Sequence, residues 1–198
     1  MSFLSTLALA MGSSWVSGIN MYAAVATLGL LGRFGQLKLP GELGVVTSWW
    51  VIGVALGLYA IEFVADKVPF VDSLWDAVHT FIRVPAGAVL AAAAFGDFDK
   101  VIQTVAFLVG GGIALSSHGT KATTRAAINT SPEPVSNILA SLGEDVVGVG
   151  AIVLAVSYPI VAITLVVIAV AVSLFLIRRI IRYLARVMGR IRHLGLNE

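Results

Sequence analysis

A chain of 198 residues that is 58% hydrophobic and 12% charged, with a mean hydropathy of +0.95, lies far from the composition of soluble domains and reads as an integral membrane protein. It has no cysteine, which excludes disulfide frameworks, thiol catalysis and cysteine-held zinc or iron–sulfur centres. The formal charge of +2 hides an asymmetry: six arginines face only Glu198 from position 178 onward, so the rest of the chain is net acidic.

Residues 1–11 carry an apolar run without a preceding Lys or Arg and without a small-residue cleavage site, so no removable signal peptide is read. That run is shorter than the ~20 residues a spanning helix needs. It meets the Gly/Ser-rich stretch from Gly12 to Asn20, where a break is expected, and a second apolar run follows over 19–34. The first element is therefore discontinuous, either one broken span or two elements.

A polar turn at 35–44 leads to an expected spanning helix over 45–65, with Trp49 and Trp50 near its start, at a depth where aromatic rings favour the membrane interface. Glu62 and Asp66, four apart, share a face near its far end. Pro69 interrupts, Asp72 or Ser73 is placed to cap a new helix, and Asp72, Asp76, His79 and Arg83 then recur at spacings of four, three and four, on one helical face. The run after Pro85 becomes long enough to span only if joined to this striped helix through a kink.

After a turn at Asp97, Asp99 and Lys100, a span over 101–117 contains Gly110, Gly111 and Gly112, a sign of close helix approach or local unwinding. It runs into a second polar stripe, His118, Lys121, Arg125 and Asn129. Ser131 and Pro132 suit the start of the next helix, with Glu133 in its first turn. That helix, to about 156, carries the adjacent pair Glu144 and Asp145 near mid-membrane, for which Lys121, Arg125 and Arg83 are the available partners. The longest apolar run, 160–177, is the clearest span, and Arg178, Arg179, Arg182, Arg186 and Arg190 continue it as a basic amphipathic helix suited to lipid headgroups.

The expected fold is thus all-α: a polytopic bundle of about six spans over 1–177, with broken helices, and a basic amphipathic helix and tail over 178–198. Residues 45–96 and 101–156 each read as span, charged segment, proline and returning helix, which suggests a parallel internal repeat. The positive-inside rule puts the arginines, and with them both polar stripes, on the cytoplasmic side of a bacterial inner membrane; Arg33 and Lys38 then lie outside, against the rule.

Several longer motifs carry a resemblance: Gly18-Ile-Asn20-Met-Tyr22, Glu62-Phe-Val-Ala-Asp-Lys-Val-Pro69, Val71-Asp-Ser-Leu-Trp-Asp76, His79-Thr-Phe-Ile-Arg83, Thr120-Lys121, Thr124-Arg125 and Asn129-Thr-Ser-Pro-Glu-Pro134. Over roughly 15–156 the chain resembles a family of small bacterial membrane proteins known only as a domain of unknown function. The resemblance implies a helical membrane fold and supplies no catalytic residue.

The leading functional expectation is a small transporter or channel. Its pathway would be lined by Glu62, Asp66, Asp72, Asp76, His79, Arg83, His118, Lys121, Arg125, Asn129, Glu133, Glu144 and Asp145, and would pass an ion or small polar solute. A membrane enzyme acting on a lipid, with Asp76 and His79 as one pair of metal ligands, is the first alternative, and a non-catalytic scaffold held by ion-pair networks the second. No cofactor, resident metal or nucleic-acid partner is expected; membrane lipids are, and the glycine-rich spans are compatible with a homo-oligomer.

Overall fold

The computed structural model describes residues 2–35, 37–128 and 134–194. Among the described residues the chain is helical, without strands: α1 Phe3–Phe34, α2 Trp49–Ala65, α3 Pro69–Ala94, α4 Lys100–Ile128, α5 Pro134–Ser157 and α6 Pro159–Leu194, with a 3-10 helix, Gly41–Thr47, before α2. Five of the helices are long and apolar enough to cross a membrane; the 3-10 helix and α2, bent by 71°, make a sixth candidate when taken together. The exterior is apolar and the interior charged: Trp50 is 86% and Phe81 83% exposed, whereas Arg83 and Glu62 are fully buried. In water this arrangement would be unstable; in hydrocarbon it is the favourable one.

The first helix turns back on itself. Its backbone leaves helical geometry at Asn20 (φ −150°, ψ 97°), and Asn20 Oδ1 accepts from Ala23 N at 2.9 Å, the bond of a helix N-cap. Before the break, α1 runs antiparallel to α3: Phe3 packs on Phe95, Ser14 bonds Gly87 and Ser17 bonds Arg83. After it, the chain runs antiparallel to α2, with Ala23 and Thr27 near Tyr59 and Leu56, Gly29 on Ile52, and Phe34 on Trp49. Both ends of α1 therefore lie at one end of the bundle, where Gly41 N also donates to Asp97 Oδ2 at 3.0 Å. Asn20 is the tip of a re-entrant hairpin, and five helices, α2 to α6, run the full length of the bundle.

Small residues permit the depth of this insertion. A Cβ on Gly18 would overlap Ser117 Oγ and Ala114 O of α4, and Gly110 lies as closely against Ala91 and Gly87 of α3. Of the three glycines at 110–112, Gly110 serves close approach while Gly112 faces open space, and the helix does not unwind there. Gly41, at φ +56°, occupies the left-handed region that glycine tolerates best, wedged against Ala93 O and Gly96 N.

Three local expectations change. The segment expected to start a span at 45 begins instead as the 3-10 helix, because Ser48 is extended (ψ 134°) and α2 starts only at Trp49. The striped helix starts at Pro69, whose fixed φ suits a first helical position, so its N-cap is Val68 and Asp72 lies in its first turn. Pro85 does not restart the chain: α3 continues through it to Ala94. Ser17 Oγ and Ser14 Oγ donate to Arg83 O (2.9 Å) and Gly87 O (2.8 Å), on either side of the proline. Both polar stripes consequently lie on continuous helices, and the breaks lie in α1 and before α2.

Candidate functional site

Helical spacing determines which side chains meet. Glu62 and Asp66 leave one face of α2; Asp72, Asp76, His79 and Arg83 one face of α3; His118, Lys121 and Arg125 one face of α4. All nine are buried. From α5 come Asn137, Glu144 and Asp145, and from α1 the tip residues Asn20 and Tyr22. Helices α2, α3, α4 and α5 converge on that tip.

The bases are shared among several acids. Arg83 reaches Glu62 Oε1 at 2.7 Å and Asp76 Oδ1 at 2.6 Å, joining α3 to α2. Lys121 Nζ lies 3.0 Å from Asp66, 3.3 Å from Glu144, 3.6 Å from Asp76 and 3.8 Å from Glu62. Arg125 binds Glu144 through both carboxylate oxygens, at 3.0 and 2.7 Å, lies 3.8 Å from Asp72, and donates to Asp66 O, Asn137 O and Asn137 Oδ1. Bidentate geometry of this kind is the strongest that a guanidinium offers a carboxylate.

The broken tip is completed by the same residues. At Gly18 and Ile19 the helix ends and its last carbonyls lose their partners. His118 Nδ1 donates to Gly18 O at 3.3 Å, and Lys121 Nζ to Ile19 O at 3.2 Å. The second half of α1 begins at Asn20, whose Nδ2 donates to Asp145 Oδ1 at 3.4 Å. Basic groups thus meet the negative end of one half-helix and a carboxylate lies at the positive start of the other.

Both histidine rings are committed. His79 bonds Trp75 O at 2.8 Å and Tyr22 Oη at 3.1 Å, and its ring stacks on Trp75. His118 Nε2 meets Thr80 Oγ1 at 2.7 Å. Both nitrogens of His79 are thus taken by hydrogen bonds. The acidic trio Asp66, Asp72 and Asp76 brings one ligand oxygen from each residue within 4.8 Å of the others.

Negative charge is in excess. Six carboxylates (Glu62, Asp66, Asp72, Asp76, Glu144 and Asp145) face three bases (Arg83, Lys121 and Arg125) among the described residues. Lys67 lies at the rim, bonded to Phe63 O at 2.8 Å. Glu62 Oε2, Asp66 Oδ1, Asp76 Oδ2 and Asp145 Oδ2 are buried without a hydrogen-bond partner. A cavity of about 210 Å³ between α3 and α4, lined by Asp76, Ala77, Thr80, Ala122, Arg125 and Ala126, reaches the cluster from outside.

Of the residues expected at the site, eleven meet here. Asn129 and Glu133 lie outside the described residues, as do the expected cap Ser131 and Pro132. Arg178, Arg179 and Arg182 are exposed along α6, while the side chains of Arg186 and Arg190 lie outside the description. Asn137, Tyr22 and Thr80 join the site without having been singled out as site residues. Asn137 is an isolated amide four residues before Ser141 in an apolar helix, a signal comparable to Glu144 and Asp145.

Fold and site together define a polytopic α-helical membrane protein in which a re-entrant helix hairpin ends on a buried, net acidic ion-pair cluster. The chain belongs to the family described as Domain of unknown function (DUF4126), whose profile matches residues 7–179, from α1 to the first turn of the arginine-rich extension and so across the whole cluster. No curated protein and no solved structure matches it.

Proposed function

We propose that this protein is a small transporter or channel, and that an ion or small polar solute passes the charged cluster at the tip of α1. One observation carries the reading: the non-helical residue Asn20 sits inside the bundle against Asp145, with the carbonyls freed by the break bound to His118 and Lys121. Interrupted helices whose ends meet ionisable side chains at membrane depth are the usual construction of a transport site, since such groups are costly in hydrocarbon unless they handle a substrate or a partner. The cavity between α3 and α4 is a route to that site. Arg178, Arg179 and Arg182 favour the cytoplasmic face of a bacterial inner membrane for this end of the bundle, bound to anionic headgroups.

The second reading is a scaffold, and its support is that Arg83, Lys121 and Arg125 are all ion-paired. Ion-pair networks can fix a helix arrangement without handling any ligand. Reconstituted vesicles separate the two. With a panel of ions and small polar solutes, the transport reading predicts flux in the wild type that Asp76→Asn and Arg125→Ala abolish while the protein remains folded. Equal flux through empty vesicles, wild type and both variants would leave the scaffold.

A further inference from the structure

We propose that Asp66, Asp72 and Asp76 form a binding site for a hard divalent cation such as Ca²⁺ or Mn²⁺. Their ligand oxygens lie within 4.8 Å of one another. Two ligands on opposite sides of a Ca²⁺ ion are separated by about 4.6–5.2 Å, so three oxygens within this distance of one another are close enough to share one ion. All three donors are carboxylates, the type that selects such cations over zinc or copper.

Proximity of acids alone does not make a site; the unmatched oxygens do. Asp66 and Asp76 are 3% and 5% exposed. Each has one oxygen held by a base, Asp66 Oδ2 by Lys121 and Asp76 Oδ1 by Arg83, while Asp66 Oδ1 and Asp76 Oδ2 are buried without a hydrogen bond. Glu62, beside them and fully buried, has Oε2 in the same condition. A buried carboxylate oxygen without a partner is costly, and a cation satisfies several at once. The surplus of carboxylates over bases supplies the charge. Asp76 also lines the cavity of about 210 Å³, which gives the ion an entry and room for the waters that complete its coordination. Lys121, 3.0 Å from Asp66, is the internal competitor: metal and ammonium seek the same carboxylates.

This inference stands apart from the transport reading, because binding is measured without flux. The full-length protein, purified in detergent with metal-free buffer, is titrated with Mn²⁺ and followed by electron paramagnetic resonance, with Ca²⁺ as competitor. The expected result is one saturable Mn²⁺ per chain, displaced by Ca²⁺, without nitrogen coupling to the electron spin, and weakened at least tenfold by Asp66→Asn and by Asp76→Asn but unchanged by Glu42→Gln. No saturable site in the wild type, nitrogen coupling from a histidine ligand, or unchanged binding in both aspartate variants would overturn it. If the aspartate variants do not fold, stoichiometry and nitrogen coupling in the wild type decide alone. Binding without flux would sink the transport reading only, and flux without binding would sink the cation site only.

Discussion

Arg83 and Glu62 form an ion pair at 2.7 Å with neither side chain exposed to any degree. It joins α3 to α2 next to the tip of the re-entrant hairpin. Breaking such a pair on one side leaves a buried uncompensated charge, which costs about 3–5 kcal/mol, whereas replacing both partners by apolar groups of similar volume is often neutral.

Arg83→Met alone should therefore lower the stability of the detergent-solubilised protein by about 3–5 kcal/mol. Because Arg83 also binds Asp76, Glu62→Leu added to it should recover only part of that loss. Thermal or denaturant unfolding of both singles and the double measures the coupling. Strictly additive losses would mean that the pair does not act as a unit.

Lys121→Met removes the competitor for Asp66 and Asp76. Mn²⁺ affinity should then rise by about tenfold, equivalent to ~1.4 kcal/mol, provided that the protein still folds without the bond from Lys121 to Ile19 O. A titration of folded variant beside wild type checks this. Weaker binding would make Lys121 a support of the site.

Glycines of two kinds are separated by the packing. Gly18→Ala places a Cβ onto Ser117 Oγ and Ala114 O and should destabilise by about 1–3 kcal/mol through overpacking. Gly53→Ala and Gly57→Ala point into open space on α2 and should stabilise by up to about 1 kcal/mol each through helix propensity. Unfolding midpoints of the three variants test the ordering.

A re-entrant α1 with five full-length helices puts the two termini on opposite sides of the membrane, while six crossings would put them on the same side. Epitope tags at Met1 and Glu198, probed by protease in sealed and opened vesicles, should be cleaved from opposite faces. Cleavage of both tags from one face would require α1 to cross.

Much of this was legible from the residues. The i, i+4 spacing of Glu62 and Asp66, of Asp72 and Asp76 and of Lys121 and Arg125 assigns each group to one helix face, and an apolar surround requires those faces to meet one another. What was less legible was which breaks interrupt a helix and which reverse the chain. Pro85 looked like an interruption, but α3 continues through it, packed against α1, where Ser17 and Ser14 donate to the carbonyls of Arg83 and Gly87 on either side of the ring. The break in α1 was expected in the Gly/Ser-rich stretch from Gly12 to Asn20, and it falls at Asn20. Only tertiary contacts, with Asp145 on one side and His118 and Lys121 on the other, reveal it as the tip of a hairpin. The start of α2 was missed for a related reason: hydropathy does not distinguish the 3-10 turn at 41–47 from the helix that follows.

Water reaching the cluster through the cavity between α3 and α4 is tested most directly by single-cysteine labelling, because the sequence holds no cysteine. Ala122→Cys lines the cavity; Gly53→Cys faces outward on α2 as a lipid-side control. In vesicles, a membrane-impermeant maleimide applied from the side of Arg178 should label Ala122→Cys and leave Gly53→Cys unmodified. An Ala122→Cys variant as unreactive as the control would mean that the cluster is sealed from water, contradicting the account.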